Sequence, residues 1–581
     1  MPPVSELSRS ALRMPRVFQS PLFWILLMGF LSMGGALRAD YYMDDYGFIL
    51  NSKGDGPSTF RWQWMGKSYG STALDAMGTS LFQLLPTLMT IVSNTLFPQN
   101  PMGAHLWNLS IHLCLAVLVF RLGGRLLAQL GVLPSAASRR QAAFLGALIF
   151  ACHPLGTEPV HYAKCHMVQL VALFGFWATC EALQFLKCPT GRQGLRLTLI
   201  MVLCVVSYYP GTVLMGFNLG LLFLFFLRGK TKGYYNRYLP SDAVMAGRPA
   251  RLLIGVACAG ILFTAWTFAF FFYKALTNLG DLYPTHVLTQ GRVFWEYAQR
   301  LVLPVHLASD HYQPWSTFAD MSAVFRLTGF ALMGIGALWL ALGKHSRSSR
   351  ALGLLLCFVL IPFAMRMLYM NMEIMVEYRA YHALPWVGLL AGWGLTALAL
   401  RFQSRPSPIS KIRWVPAGVL VAAFTLLSAE RSKVWRSGTL LAENVLSQYP
   451  LNNRARTQLQ SFDLDAGQYP AVLERHAEIL MVRDQIEALN ATTAGRTIID
   501  PNRANVSVIG SYQFAVLARA EMEGCIKALA FADQSIASLQ TRLPSYFRKK
   551  DAGDTVDAWP LLEARAAVER AKAAGYGAPV P

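Results

Sequence analysis

The stretch PLFWILLMGFLSMGGAL (residues 21–37), followed by YYMDDYGFI (residues 41–49), decides how the whole chain is interpreted. An apolar run of this length, preceded by basic residues, predicts a retained signal anchor that crosses a membrane. Asp44 and Asp45 stand just beyond its exit, in a chain that has 32 acidic residues against 52 basic ones. Two adjacent carboxylates at this place are the first candidates for a chemical centre.

The composition extends this interpretation to the whole chain. Of the 581 residues, 54% are hydrophobic and 14% are charged, whereas a soluble globular protein carries about 25% charge. Mean hydropathy is +0.35. The net charge of +20 comes from short basic clusters between apolar runs, the pattern of cytoplasmic loops rather than of a nucleic-acid interface. The nine cysteines form no CxxC pair, so no disulfide framework is expected.

Eleven apolar runs are candidate spans, and the chain is therefore predicted to be an all-α polytopic bundle. The runs are 19–38, 105–120, 141–153, 163–187, 195–209, 211–228, 252–275, 325–343, 351–370, 380–401 and 412–429. Every second loop is basic, which predicts that the remaining loops and the C-terminus are non-cytoplasmic. We expect an integral protein of a bacterial inner membrane, facing the periplasm, or of the endoplasmic reticulum, facing the lumen.

Two domains follow from this pattern, a membrane domain at 1–430 and a helical non-cytoplasmic domain at 431–581. The membrane domain has two long loops, 39–104 and 276–324. The apolar piece Leu74–Phe97 predicts an interfacial helix, and Val293–Leu307 predicts an interfacial or re-entrant element. After residue 430 the sequence becomes polar with helical periodicity. A helix up to Asp465, the turn Gly467-x-Tyr469 and a second helix are typical of a tetratricopeptide unit.

Helices near 510–524 and 527–542 predict a second tetratricopeptide unit. Such repeats stack into a concave surface that holds a peptide or a partner.

Asp44 and Asp45 are predicted to act at the membrane interface. Partial burial raises a carboxyl pKa towards the range of a general base, and the neighbouring carboxylate would assist or bind a metal. The alternative is a solvated loop that marks the end of the first span.

The turn between the third and fourth spans is rich in ionisable groups. His153, Glu158, His161, Lys164 and His166 lie within it. Imidazole and carboxylate ligands suit a divalent ion such as Mg²⁺ or Mn²⁺, so His153, His161 and His166 are candidate metal ligands. No HExxH spacing is present, and a purely polar turn is the alternative.

Two further sets complete the polar positions of the non-cytoplasmic side. His105, Asn108 and His112 share one face of the second span, where they either line a cavity or hydrogen-bond between helices. Asp310 and His311 lie in the second long loop.

A basic residue at the entry of the tenth span is a candidate anion ligand. Arg379, followed by His382, could neutralise a lipid phosphate with its guanidinium. An ion pair of Arg379 with Glu377 or Glu373 is the alternative.

The order of these segments resembles the transmembrane and tetratricopeptide-repeat O-mannosyltransferases, which are type-C (GT-C) glycosyltransferases. The segments that carry the resemblance are Asp44-Asp45-x-x-x-Ile49-x-Asn51, His105-x-x-Asn108-x-x-x-His112, His153-Pro154-x-x-Thr157-Glu158-x-Val160, Leu303-Pro304-x-x-Leu307 with Asp310-His311, Arg379-x-x-x-x-Leu384-Pro385-x-x-Gly388, Trp435, and Tyr449-Pro450 to Gly467.

The resemblance implies transfer of a sugar from a polyprenyl-phosphate carrier to a hydroxyl of an exported protein, for example a pilin, with inversion at the anomeric carbon. Asp44 would be the general base or the acid that orients the acceptor, with Asp45 beside it. Glu158 and His153 would complete the acidic pocket, and Arg379 would hold the carrier phosphate.

The chain departs from this family at residues 207–211, SYYPG, where members tend to carry a Lys-Glu pair. Lys164 or Arg300 could replace the missing phosphate-binding cation. Two other functions remain open. The same fold could glycosylate a lipid or a surface polysaccharide, or the chain could be a transporter or flippase with a docking domain.

Overall fold

The computed structural model is almost entirely helical. It describes residues 19–42, 45, 83–98, 100–187, 190–230, 265–270, 272–273, 276–277, 283–369, 374–403, 413–492, 497–498, 501–542 and 559–573. Asp44, Glu373 and the predicted helical stretch 74–82 lie outside these residues.

The membrane region consists of helices joined by short turns. In chain order the described helices are α1 (Pro21–Met33), α2 (Leu84–Leu96), α3 (Met102–Leu130), α4 (Ala136–Cys152), α5 (Thr157–His161), α6 (His166–Lys187), α7 (Gly191–Val205), α8 (Tyr209–Lys230), α9 (Tyr283–Val302), α10 (Met321–Leu342), α11 (Arg347–Tyr369), α12 (Leu384–Gln403) and α13 (Val415–Val434). Shorter 3₁₀ segments are Gly34–Arg38, Pro154–Gly156, Ala163–Cys165 and Glu377–His382.

Local sequence sets several of these boundaries. α3 ends where Gly131 adopts φ 71°, a left-handed conformation that costs glycine little. α4 begins with a reciprocal cap between Ser135 and Ser138. Pro154 cannot continue α4, and the chain bends by 54° into the piece that contains α5.

Within the described residues, seven helices are long and apolar enough to cross a membrane, or eight if the bent pair α4–α5 is one span. The predicted number of eleven is not confirmed. The run 195–209 forms α7, which has 15 residues and carries Arg192 and Arg196 in its first half, so its apolar part is short. In α8 the apolar part is Val213–Phe225. The run 252–275 lies mainly outside the described residues.

The long loops also differ from prediction in detail. α2 forms within the predicted stretch Leu74–Phe97, and its exposed residues Leu88, Val92 and Leu96 form one apolar stripe. The piece Val293–Leu307 belongs to a longer helix, α9, which ends before Pro304. Phe294 of α9 packs edge-on against Phe330 and Phe363, so this helix is part of the bundle.

Helices α4 and α12 cross with their backbones close together. A Cβ added to Gly388 would lie 2.5 Å from the carbonyl oxygen of Gly146. Small residues at such crossings let two backbones approach closely, which increases van der Waals contact between membrane helices.

The C-terminal region is a succession of helices, each packed against the next. They are α14 (Gly438–Gln448), α15 (Asn453–Asp465), α16 (Tyr469–Thr492), α17 (Pro501–Glu523), α18 (Cys525–Arg542) and α19 (Trp559–Ala573). α15 ends where Gly467 adopts φ 71°. Helices therefore occur where both repeat units were predicted, while their assignment as tetratricopeptide repeats stays a prediction.

The C-terminal region is attached to the loop that follows α9. A short antiparallel pairing joins strand β1 (Trp315–Ser316) to β2 (Thr497–Ile498). Ala308 of the same loop is buried among residues of α14 and α15, including Ala442 and Leu459. The loop thus lies between the two regions.

Candidate active site at one end of the helix bundle

The loops at one end of the bundle converge with the start of the C-terminal region. The amide of Asp40 donates to the carbonyl of Trp435 at 3.1 Å. The hydroxyls of Tyr42 and Ser309 lie 3.1 Å apart. The amide of Tyr378 donates to Glu158 Oε2 at 2.8 Å. Segments separated by hundreds of residues therefore share one site.

Asp45 is fully buried and joins two of these loops. Its Oδ2 accepts from the amide of Tyr42 at 3.0 Å, and its Oδ1 accepts from the amide of Lys164 at 2.8 Å. Burial raises the pKa of Asp45 to about 7, although these amide hydrogen bonds act in the opposite direction. Asp45 thus joins its own loop to the turn that contains Lys164, and it is predicted to assist the neighbouring Asp44.

A second buried carboxylate, Glu377, lies at the centre of the site. Its Oε1 accepts from the amide of Ala308 at 2.7 Å and from His311 Nε2 at 2.9 Å. Its Oε2 accepts from Arg431 Nη2 at 2.7 Å. Burial alone would raise the pKa of Glu377, but the Arg431 charge and these hydrogen bonds outweigh burial and lower it. Glu377 is therefore ionised.

Glu158 is buried close to Glu377 and within the fields of Arg431 and Arg379. Arg431 reaches the turn before it, because its Nε donates to Thr157 Oγ1 at 2.8 Å. Glu377 pairs with Arg431 and His311, and Glu373, the other predicted partner of Arg379, lies outside the described residues. Arg379 is itself buried and lies over the ring of Tyr378, 5.7 Å from its centroid. Two carboxylates and two guanidinium groups are therefore concentrated here.

Asp310 and the two candidate replacement cations occupy the edge of the site. Asp310 Oδ2 accepts from Asn452 Nδ2 at 3.2 Å, which links the loop to α15. Arg300 Nη1 is paired with Glu296 at 3.3 Å, which partly neutralises the charge of this guanidinium. The amide of Lys164 binds Asp45. His382 lies half-buried at the end of its 3₁₀ segment.

The polar residues of α3 act as connections between elements. Asn108 Nδ2 donates to the carbonyls of Pro159 at 3.2 Å and Tyr162 at 2.8 Å, and so holds the turn that contains Glu158. His112 bridges Tyr381 Oη at 2.8 Å and the Ala151 carbonyl at 3.1 Å. These contacts favour interhelical hydrogen bonding, one of the two alternatives predicted. His105 is fully buried.

The predicted metal ligands are not brought together. His153 Nε2 lies 3.1 Å from the Leu301 carbonyl, His161 Nδ1 lies 2.8 Å from that of Thr157, and His166 bridges the carbonyls of Ala163 and Pro86. Among the described residues no three His, Cys, Asp or Glu side chains converge as a metal site. The imidazoles contact backbone carbonyls of three different elements instead: the end of α9 for His153, α5 for His161 and α2 for His166.

Arg431 and Tyr449 were not predicted as site residues. Arg431 lies in the last turn of α13, at the end of an apolar helix and together with Lys433. This position was the one sequence signal that could have identified it. Tyr449 Oη lies 2.7 Å from His311 Nδ1, and nothing in the sequence around Tyr449 predicts that contact.

A scan against models of known protein families and a search of curated proteins found no match to this chain. Buried carboxylates beside guanidinium groups, at the membrane end of a helix bundle, can take up a proton and stabilise an anion in the same place.

Proposed function

We propose that this chain is a membrane glycosyltransferase of the type-C class, which moves a sugar from a polyprenyl-phosphate carrier to a hydroxyl of an exported protein. The observation that carries the proposal is the convergence of Asp45, Glu158, Glu377, Arg379 and Arg431 at one end of the bundle. The resemblance of these segments to the transmembrane and tetratricopeptide-repeat O-mannosyltransferases supports the same reaction.

In the proposed reaction the acceptor hydroxyl attacks the anomeric carbon and forms a new C–O bond. The bond from that carbon to the carrier phosphate breaks, so the configuration inverts in one displacement. Asp44 takes the hydroxyl proton, and Asp45, anchored by two amides, fixes the backbone beside it. Placing a base in line with the reacting carbon supplies a large share of the acceleration in such reactions.

The departing phosphate carries negative charge, which needs a cation within a poorly hydrated site. Arg379 is the proposed ligand, because its guanidinium is buried beside Glu158 at this end of the bundle. A guanidinium can hold two phosphate oxygens at once. Glu158, beside Arg379, would keep that side chain oriented while no carrier is bound.

An exported protein is the favoured acceptor because the C-terminal helices directly adjoin the site, through Asn452 and Tyr449. A successive array of helices offers a surface for a polypeptide. The proposed location is a bacterial inner membrane with the site in the periplasm, or the endoplasmic reticulum with the site in the lumen.

The test is sugar transfer by the purified protein in liposomes that contain radiolabelled polyprenyl-phosphate sugar, with a periplasmic protein extract as acceptor. Asp44→Asn should lower incorporation by at least about 100-fold, because a positioned base contributes about 10²–10⁴. Asp40→Asn is the matched control, since Asp40 is exposed in the same loop and should retain activity. Equal incorporation by Asp44→Asn and wild type would refute the assigned base. Label recovered in a lipid product other than the carrier, with none in protein, would refute the acceptor.

A further inference from the structure

A continuous series of buried contacts leads from the C-terminal helices to the turn that contains Glu158. Tyr449 Oη lies 2.7 Å from His311 Nδ1, and His311 Nε2 lies 2.9 Å from Glu377. Glu377 accepts from Arg431, and Arg431 Nε donates to Thr157 Oγ1. These residues, Tyr449, His311, Glu377, Arg431 and Thr157, are called the relay below.

Donors and acceptors are assigned without conflict along the relay. Ionised Glu377 can only accept, so His311 Nε2 must carry a hydrogen. Burial raises the pKa of Tyr449 to about 12, so its hydroxyl keeps its proton and can donate to His311 Nδ1 while it accepts from Arg300 Nη2 at 3.5 Å. Thr157 Oγ1 accepts from Arg431 and donates to the Pro154 carbonyl at 2.7 Å. Each side chain thus fixes the orientation of the next.

The loop between the two regions is held from both sides at the same place. From the C-terminal side, Gln448 Nε2 donates to the Leu307 carbonyl at 2.9 Å, and Asn452 donates to Asp310. From the membrane side, Glu377 accepts from the amide of Ala308. A shift of α14 relative to the bundle would therefore displace His311 and break its contact with Glu377.

We propose that the relay couples the position of the C-terminal helices to the arrangement of Arg431 and the Glu158 turn, with Tyr449 and His311 as positioning residues. A polypeptide that binds the C-terminal helices would thereby change the site in the membrane region. The catalytic consequence rests on the proposed function, whereas the structural coupling does not.

The first experiment compares Tyr449→Phe with Tyr469→Phe. The first variant removes the hydroxyl that contacts His311 Nδ1 and Arg300 Nη2, and the second removes a hydroxyl from the same region outside the relay. Hydrogen exchange is measured by mass spectrometry in peptides that cover residues 303–312 and 153–162. We expect faster exchange at the amide of Ala308 and in the Glu158 turn for Tyr449→Phe, and wild-type exchange for Tyr469→Phe. Equal exchange in both variants would overturn the relay.

The second experiment measures kcat and KM for sugar transfer. Tyr449→Phe should lower kcat by about 10-fold with little change in the KM for the carrier, because positioning rather than binding is affected. In the double variant with His311→Ala, kcat should fall no further than in His311→Ala alone. Independent, multiplicative losses would overturn the coupling.

The two proposals fail in different ways. If wild type transfers no sugar but the exchange differences appear, the relay stands and the reaction is wrong. If wild type transfers sugar and Tyr449→Phe matches Tyr469→Phe in both measurements, the reaction stands and the relay is wrong.

Discussion

The carboxylate of Glu377 neutralises the charge of Arg431 in the site. This carboxylate accepts hydrogen bonds from an amide, an imidazole and a guanidinium, and it is fully buried. Removing one partner of a buried ion pair leaves the other charge unpaired in a medium of low polarity, which is costly.

Glu377→Gln should therefore destabilise the protein by roughly 3–5 kcal/mol. The new amide group would also face donors on both sides, since Ala308, His311 and Arg431 all point hydrogens at this position. Thermal unfolding in detergent measures the effect. Glu443→Gln, on the exposed face of α14, is the control and should unfold with wild type. A shared midpoint for both variants would contradict an ionised Glu377.

Asp45 gives the site a pH dependence of definite sign. Burial raises its pKa from 3.8 to about 7 in the folded protein. The folded state thus holds a proton that the unfolded chain has lost, so this contribution to stability is fully present below pH 3.8 and is lost as the pH rises through 7. The contribution is on the order of 4 kcal/mol.

Unfolding midpoints are measured between pH 4 and pH 8 for wild type and for Asp45→Asn. The midpoint of wild type minus that of Asp45→Asn should fall as the pH rises, because the variant lacks this titrating carboxyl and shares every other titrating group. Asp40→Asn, in the exposed part of the loop, should keep the wild-type slope. Identical slopes in all three proteins would show that Asp45 does not titrate in this window.

At the scale of elements, the crossing of α4 and α12 fixes the geometry of the bundle below the site. The Gly146 carbonyl occupies the space that a side chain at Gly388 would need, whereas a Cβ at Gly394 of the same helix would meet open space. The same substitution should therefore have opposite effects at these two positions.

Gly388→Ala should destabilise the protein by about 1–3 kcal/mol, because the methyl group forces the two backbones apart. Gly394→Ala should be neutral or stabilise by up to about 1 kcal/mol, because alanine loses less backbone entropy on folding. Unfolding in detergent at a fixed pH compares the pair. Equal destabilisation by both would mean that helical glycine as such, rather than the crossing, is required.

At the scale of the whole molecule, the basic loops predict an orientation in the membrane. Ser447 of α14 lies on the side of the site, and Ser346 lies beyond the far end of α10. A helix of 22 residues is about 33 Å long, enough to separate these positions by a bilayer core.

In intact cells a membrane-impermeant maleimide should label Ser447→Cys and not Ser346→Cys. After lysis both should be labelled. Wild type, whose Cys114 is exposed on α3, gives the background. The opposite pattern would place the site on the cytoplasmic side and remove the proposed access to exported acceptors.

Much of the site was predictable because each of its residues stands out individually in the sequence. Asp45, Glu158, Asp310, His311 and Arg379 are ionisable groups beside apolar runs, where an unneeded charge is costly. The alternation of basic loops placed them on one side. The structure brings them to one end of the bundle through contacts such as that of Tyr378 with Glu158.

Partner choice was not predictable from those positions. His153, His161 and His166 are close in sequence, yet each imidazole binds a nearby backbone carbonyl rather than a shared ion. Glu377 has Arg379 two residues away, yet it pairs with Arg431 from a different helix. Proximity in sequence is a poor guide here, because a turn directs neighbouring side chains in different directions.

The chain alone was enough to predict a helical membrane protein with a polar helical C-terminal region. Transfer of apolar residues out of water is a local and roughly additive property, so run length and composition suffice. Only the tertiary structure decided that Glu377 is held by His311 and Arg431, and that Tyr449 reaches the site from the C-terminal region. Such contacts depend on how helices cross and on where each loop is held, and these arise from the packing of the whole chain rather than from any one segment.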